Sequence, residues 1–267
     1  MPLRIASAVV LAPVALLIAW QGGWALAGFV TFFAVAMSYE WVKMSDPGAP
    51  PRAYSMFAAI VSGASALAGA DAWRWVFGVI LVGAFLMAFE RVLRGGIWRA
   101  AVGVPYVGLP CVAIIWLGNS AAGGFYVLLY LFVVVWSADT CAYLTGTWIG
   151  GPKLWPRASP NKTWSGLIGG LAAGAAAGAL GASIMGVRED AWIFALVAIP
   201  MALAAVGGDL LESVLKRRFG VKDTGTLIPG HGGVLDRVDA LIAAVLVFAS
   251  VLLIRPDLFQ PFQQGLP

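Results

Sequence analysis

Charge is scarce in this chain: only 11% of its 267 residues are Asp, Glu, Lys or Arg, beside one histidine and two cysteines. With 61% apolar residues, that scarcity excludes an ordinary soluble globular domain. Cys111 and Cys141 both fall in apolar segments and lack paired-ligand spacing, so neither a disulfide nor a metal is expected on them. No Walker-type phosphate loop is found in the glycine-containing stretches. The net charge of +4 gives no reason to expect nucleic acid. Arg4 ahead of an apolar run resembles a signal peptide, but no clean cleavage site and soluble domain follow, so a retained helix is expected.

What is abundant is uncharged sequence. Unbroken runs cover 5–39, 53–70, 100–138, 163–187, 191–208 and 240–254. A bilayer crossing needs about 20 apolar residues, so the two longest runs each hold two crossings. They are broken at Gln21-Gly22-Gly23 and between Gly118 and Gly124. The pattern predicts an all-α, polytopic integral membrane protein with about nine crossings, near 3–20, 24–43, 53–70, 73–90, 99–117, 122–146, 165–186, 191–216 and 236–255. On that topology, thirteen of the seventeen Lys and Arg fall on one side. The positive-inside bias then predicts both termini outside and the polar segments in the cytoplasm. The same charge suits anionic lipid headgroups.

Polar residues are unevenly spread. Residues 1–135 read as a transmembrane scaffold whose main intramembrane exceptions are Glu40 and Glu90. Residues 136–267 read as a catalytic half with cytoplasmic loops at 147–164 and 217–235. Within it, Asp139, Ala142, Tyr143 and Gly146 share one face of the sixth crossing. A carboxylate at that depth is costly and points to function over packing. The loop 150–164 is expected to be irregular from its prolines and glycines, and its Ser159, Asn161, Lys162 and Thr163 suit phosphate oxygens. Asp209, Glu212 or Ser213, and Lys216 form a polar stripe on the eighth crossing. Lys222, Asp223 and the glycine-flanked His231 occupy the next loop, where glycines permit close approach to a ligand. Asp236 and Asp239 share a face at the start of the ninth crossing. Aspartates gathered at one boundary suit Mg²⁺, a hard ion that bridges to phosphates, and the neighbouring cations suit a polyanionic substrate. Gly166, Gly170, Gly174 and Gly178 make a small-residue stripe for a neighbouring helix or a symmetry mate.

These blocks also carry a resemblance. Ser213-x-x-Lys216-Arg217, Lys222-Asp223, Pro229-Gly230-His231-Gly232-Gly233 and Asp236-Arg237-x-Asp239 are similar to the signature of the phosphatidate cytidylyltransferases. Trp136-x-x-Asp139-x-x-Ala142-Tyr143 and Ser159-Pro160-Asn161-Lys162-Thr163-Trp164 resemble further blocks of that family. The resemblance implies a nucleotidyltransferase of phospholipid biosynthesis in a bacterial inner membrane. It would join CTP to phosphatidic acid with Mg²⁺, giving CDP-diacylglycerol and pyrophosphate. Asp209 and Asp236 are implied as principal metal ligands, with Asp239 and Asp139 completing or supporting the coordination and a second metal or monovalent ion left open. Lys162, Lys216, Arg217 and Lys222 would hold phosphates, with Asn161, Ser213 and His231 as polar contacts and Asp223 and Arg237 in the substrate site. Asp209, Asp236, Asp239 and Lys216 would carry the reaction.

One position departs: residue 165 is Ser, where the family usually has an acidic residue. Among rivals, a CDP-alcohol phosphotransferase would need a DG-x-x-AR motif that is absent, and a CTP-dependent lipid kinase would lack this signature. A membrane ion or lipid transporter would be expected to show matched halves with broken helices at the midplane. The glycine stripe makes a homodimer an expectation to test.

Overall fold

The computed structural model describes residues 2–120, 123–185, 190–227 and 232–259, with 2–11 and Phe259 by backbone alone. Among the described residues nine helices follow the nine apolar segments: α1 (Pro2–Gln21), α2 (Gly23–Ser45), α3 (Pro51–Gly69), α4 (Trp73–Glu90), α5 (Ile97–Asn119), α6 (Gly124–Trp148), α7 (Trp164–Ile184), α8 (Ala191–Arg218) and α9 (Leu235–Ile254). Seven of them, α2 and α4 to α9, are long and apolar enough to cross a bilayer. The expected breaks are real. Gly22 and Gly23 take positive φ values of 61° and 54°, and the freed Gly23 N–H donates to Asn119 Oδ1 at 2.9 Å. Prolines at 13, 105, 110 and 200 lie inside helices, as membrane helices tolerate.

One expectation is corrected. The segment 150–164 is not irregular: it folds as a hairpin of β1 (Lys153–Trp155) and β2 (Ser159–Thr163), paired antiparallel. Gly150 and Gly151, at φ 66° and 101°, turn the chain into it. At its far end the Thr163 hydroxyl accepts from Gly166 N at 3.1 Å and so caps α7. Gly150, Gly151 and Pro152 lead into the hairpin and Pro156 lies in its turn, while Pro160 sits within β2.

The chain divides into two compact units. One comprises Met1–Asn119 with Phe219–Val238, the other Ser120–Arg218 with Asp239–Pro267. In the first, Trp41 is buried against Tyr106, and its indole N–H donates to Arg99 O at 2.9 Å. Gly103 is required there, because a Cβ would collide with that indole. Asp46 pairs with Arg91 and Arg94, and Glu90 with Arg94 and Arg52, tying the ends of α2 and α4 to the start of α3. Phe219 stacks on Trp98 with ring centroids 5.9 Å apart, and Arg99 lies 5.3 Å above its ring.

In the second unit the glycine stripe is consumed within the chain. A Cβ on Gly166 or Gly170 would stand 2.8 or 2.9 Å from the Ala142 or Ala138 carbonyl of α6. On Gly174 or Gly178 it would meet Ala202 or Ala198 of α8 at 3.0 or 2.7 Å. Gly178 would also press on Phe194 O and on the Tyr130 hydroxyl, which donates to that carbonyl at 2.6 Å. Gly178→Ala should therefore destabilise the protein. Overpacking costs about 1–3 kcal/mol, against about 1 kcal/mol gained in helix propensity. A lower melting temperature in detergent checks it; an unchanged or higher one would show that α7 can move away from α8.

Candidate functional site

Both units hold sequence-predicted site residues. In the second unit, β2 delivers Lys162 to α8. Its Nζ lies 2.7 Å from Asp209 Oδ2 and 3.4 Å from the Val206 carbonyl. Asp209 Oδ1 accepts from Ser213 Oγ at 3.4 Å, one turn along. Another turn on, Lys216 Nζ bonds Glu212 Oε1 at 3.1 Å, and Glu212 is buried at 1% exposure. The predicted stripe on α8 is thus a run of paired charges rather than loose ones. Glycine at 208 allows the next helix in: a Cβ there would stand 2.5 Å from Asp239 O. Asp239 consequently lies within electrostatic reach of Asp209, Lys216 and Lys162. Asp139, on the exposed side of α6, has Lys162 and Asp209 as its charged neighbours. Asp139, Lys162, Asp209, Ser213, Lys216 and Asp239 are thereby brought together from four segments, α6, β2, α8 and α9. Asn161 and Arg217 are exposed in the same unit.

In the first unit, Asp236 stands in the first turn of α9. Its Oδ2 accepts from Thr224 N, Thr224 Oγ1 and Gly233 N, each at 2.9 Å. Gly232, at φ 83°, shapes the turn that delivers the Gly233 amide. Lys222, Asp223 and Arg237 are exposed. His231 lies outside the described residues.

Two residues that the sequence left without a role enter here. Glu40 is fully buried and bonded to the segment before α9, and Thr224 bonds both Glu40 and Asp236. A lone carboxylate in an apolar helix was the available signal for Glu40; an ordinary threonine in a loop gave none. Ser165 is also accounted for: its hydroxyl donates to Gly150 O and lies 3.0 Å from Thr163 Oγ1, closing the hairpin base.

Residues 2–255, nearly the whole chain, match the family model described as cytidylyltransferase family. The chain belongs to that family. This cytidylyltransferase is 39% identical over 258 residues to the phosphatidate cytidylyltransferase of Brucella suis biovar 1 (strain 1330), covering 95% of this chain and 94% of the relative. It is 36% identical over 195 residues to that of Staphylococcus epidermidis (strain ATCC 12228 / FDA PCI 1200), covering 69% and 74%. The protein is a nucleotidyltransferase built into a membrane. Its site chemistry suits that class, since it gathers carboxylates and ammonium groups in one place.

Proposed function

We propose that this cytidylyltransferase transfers CMP from CTP to phosphatidic acid, giving CDP-diacylglycerol and pyrophosphate. The observation that carries the reading is the 2.7 Å pairing of Lys162 with Asp209. It joins a phosphate-binding cation from the hairpin to a metal-type carboxylate on the signature helix. The lipid phosphate oxygen attacks the α-phosphorus of CTP; that P–O bond forms as the bond from the α-phosphorus to the oxygen it shares with the β-phosphorus breaks, and pyrophosphate leaves with that oxygen. A phosphate monoester has its second pKa at about 6, so the attacking oxygen is already anionic near neutral pH and needs no general base. What the protein must supply is positioning and charge.

Lys162 and Lys216 would exchange their carboxylate partners for phosphate oxygens as substrates arrive, while Arg217 and Lys222, both exposed, meet the triphosphate or the lipid headgroup. Asn161, Ser213 and His231 are assigned as neutral contacts, with Asp139, Asp223 and Arg237 bordering the substrates. Among the described residues no three His, Cys, Asp or Glu side chains form a metal cage of their own. The donor set nevertheless fits Mg²⁺, which takes one or two carboxylates and completes its shell with water and substrate phosphate. Lys162 already sets a positive charge against Asp209. Asp209, Asp236 and Asp239 are the carboxylates we assign to the ion, on the strength of the resemblance. When bound, it neutralises charge developing on the phosphates.

We assign nine crossings in a bacterial inner membrane; on that topology the one-sided distribution of Lys and Arg supports both termini outside and a site open to the cytoplasm. A second copy of the chain would have to pack on a face other than the glycine stripe, which α6 and α8 occupy. Purified protein given phosphatidic acid, Mg²⁺ and labelled CTP is expected to release labelled CDP-diacylglycerol. No lipid-linked CMP with any divalent ion would overturn the assignment, and a labelled product that forms only with another acidic lipid would move the substrate.

A further inference from the structure

We infer that Glu40 is a positioning residue for this reaction: its carboxylate, at the end of α2, holds the first turn of α9 and, through Thr224, sets Asp236. The inference rests on the proposed role of Asp236. Glu40 is 0% exposed. Its Oε1 accepts from Val234 N at 2.9 Å, and its Oε2 accepts from Leu235 N at 2.9 Å and from Thr224 Oγ1 at 3.3 Å. Val234 and Leu235 are the last residue before α9 and the first within it, so these amides are among those a helix leaves without a partner. A carboxylate is the best group to meet them, because the helix N-terminus carries partial positive charge. Such a cap normally comes from the adjoining loop; this one comes from almost two hundred residues earlier in the chain.

The surroundings are built around that carboxylate. A Cβ on Gly225 would lie 2.7 Å from Glu40 Oε1, and one on Gly233 would lie 2.7 Å from Oε2 and collide with the Thr224 hydroxyl. Both glycines leave room for the Glu40 side chain to reach this turn, and Gly233 leaves room for the Thr224 hydroxyl as well. Thr224 then links them. Its hydroxyl has one proton and two carboxylate acceptors, with the shorter contact, 2.9 Å, to Asp236 Oδ2. Its amide donates to that same oxygen, also at 2.9 Å. With Oδ2 engaged by three donors, the carboxylate of Asp236 has one rotational setting. Glu40 is therefore the fixed point, α9 the arm it holds, and Asp236 the group whose direction follows. It does not touch the reacting atoms.

Glu40→Gln separates this from a role in folding alone. The amide keeps the size but presents an N–H₂ group to at least one backbone N–H, so the clamp is broken at one point. In the full-length protein, hydrogen–deuterium exchange should accelerate in peptides covering 224–238 and not across the other helices, while the melting temperature falls only modestly, as one unsatisfied buried donor allows. The kcat should fall about tenfold or more, as expected for a displaced reacting-site group, with the KM for CTP little changed and the Mg²⁺ half-saturation raised. Thr224→Val should show the same pattern more weakly, and Thr224→Ser should restore most of what Val loses. Faster exchange with an unchanged kcat, or unchanged exchange, overturns the inference. If Glu40→Gln does not fold, Thr224→Val decides, and a normal kcat at normal stability sinks it. A wild-type protein that makes no CDP-lipid, while Glu40→Gln still speeds exchange, leaves the clamp standing and removes the proposed reaction from under it.

Discussion

Asp209→Asn should lower the rate of CDP-diacylglycerol formation by about a thousandfold, at the upper end of what removing one charge-stabilising group costs an enzyme. The substitution keeps the shape. The asparagine oxygen can still accept from Lys162, whose ammonium stands 2.7 Å from one carboxylate oxygen, and its N–H₂ can donate to the Ser213 hydroxyl, 3.4 Å from the other. What disappears is the negative charge, and with it a ligand for a hard cation. Folding should hardly change. The Lys162 and Asp209 side chains are 24% and 35% exposed, and a pair that open to solvent contributes about 0–1 kcal/mol. Rate and melting temperature should thus separate, which initial-rate assays with labelled CTP beside thermal melts in detergent would measure. Near-normal turnover would remove Asp209 from the metal site, and a collapse of stability would recast it as a structural anchor.

Asp236→Asn is expected to cost a comparable factor, about 10²–10³ in turnover, for a related reason. Here the fold is more exposed to the choice of substitution. Oδ2 of Asp236 is the common acceptor for Thr224 N, Thr224 Oγ1 and Gly233 N. An asparagine can turn its carbonyl oxygen to that position and keep the loop assembled. Asp236→Ala cannot, and leaving a buried donor unsatisfied costs about 1–3 kcal/mol apiece. The expected result is an Asn variant that is folded and inactive and an Ala variant that is inactive and less stable. Asn activity close to wild type would show that Asp236 is only a loop anchor; equal stability of both variants would show that the three donors find water instead.

The two aspartates illustrate how far local sequence reaches. Both were legible as candidates, because charge in an apolar helix is expensive and because the family resemblance implies both as metal ligands, Asp236 from within one of its blocks. Their partners were less so. Asp209 meets Lys162 across 47 positions, through a hairpin whose glycines and prolines suggested only a loop. Asp236 is held by Thr224, a residue with no mark of its own in the sequence. The stripe of glycines was legible as a packing face, but not which helices would fill it.

By itself the sequence determined the helices, their breaks and the family, since each depends on features read along a short stretch: run length, glycine and proline interruptions, motif spacing. Only the tertiary structure decided that β2 carries Lys162 onto α8, that α7 spends its glycines on α6 and α8, and that Glu40 caps α9. Those pairings join segments far apart in the chain, and apolar periodicity is blind to them. It says which faces must be buried and leaves open against what.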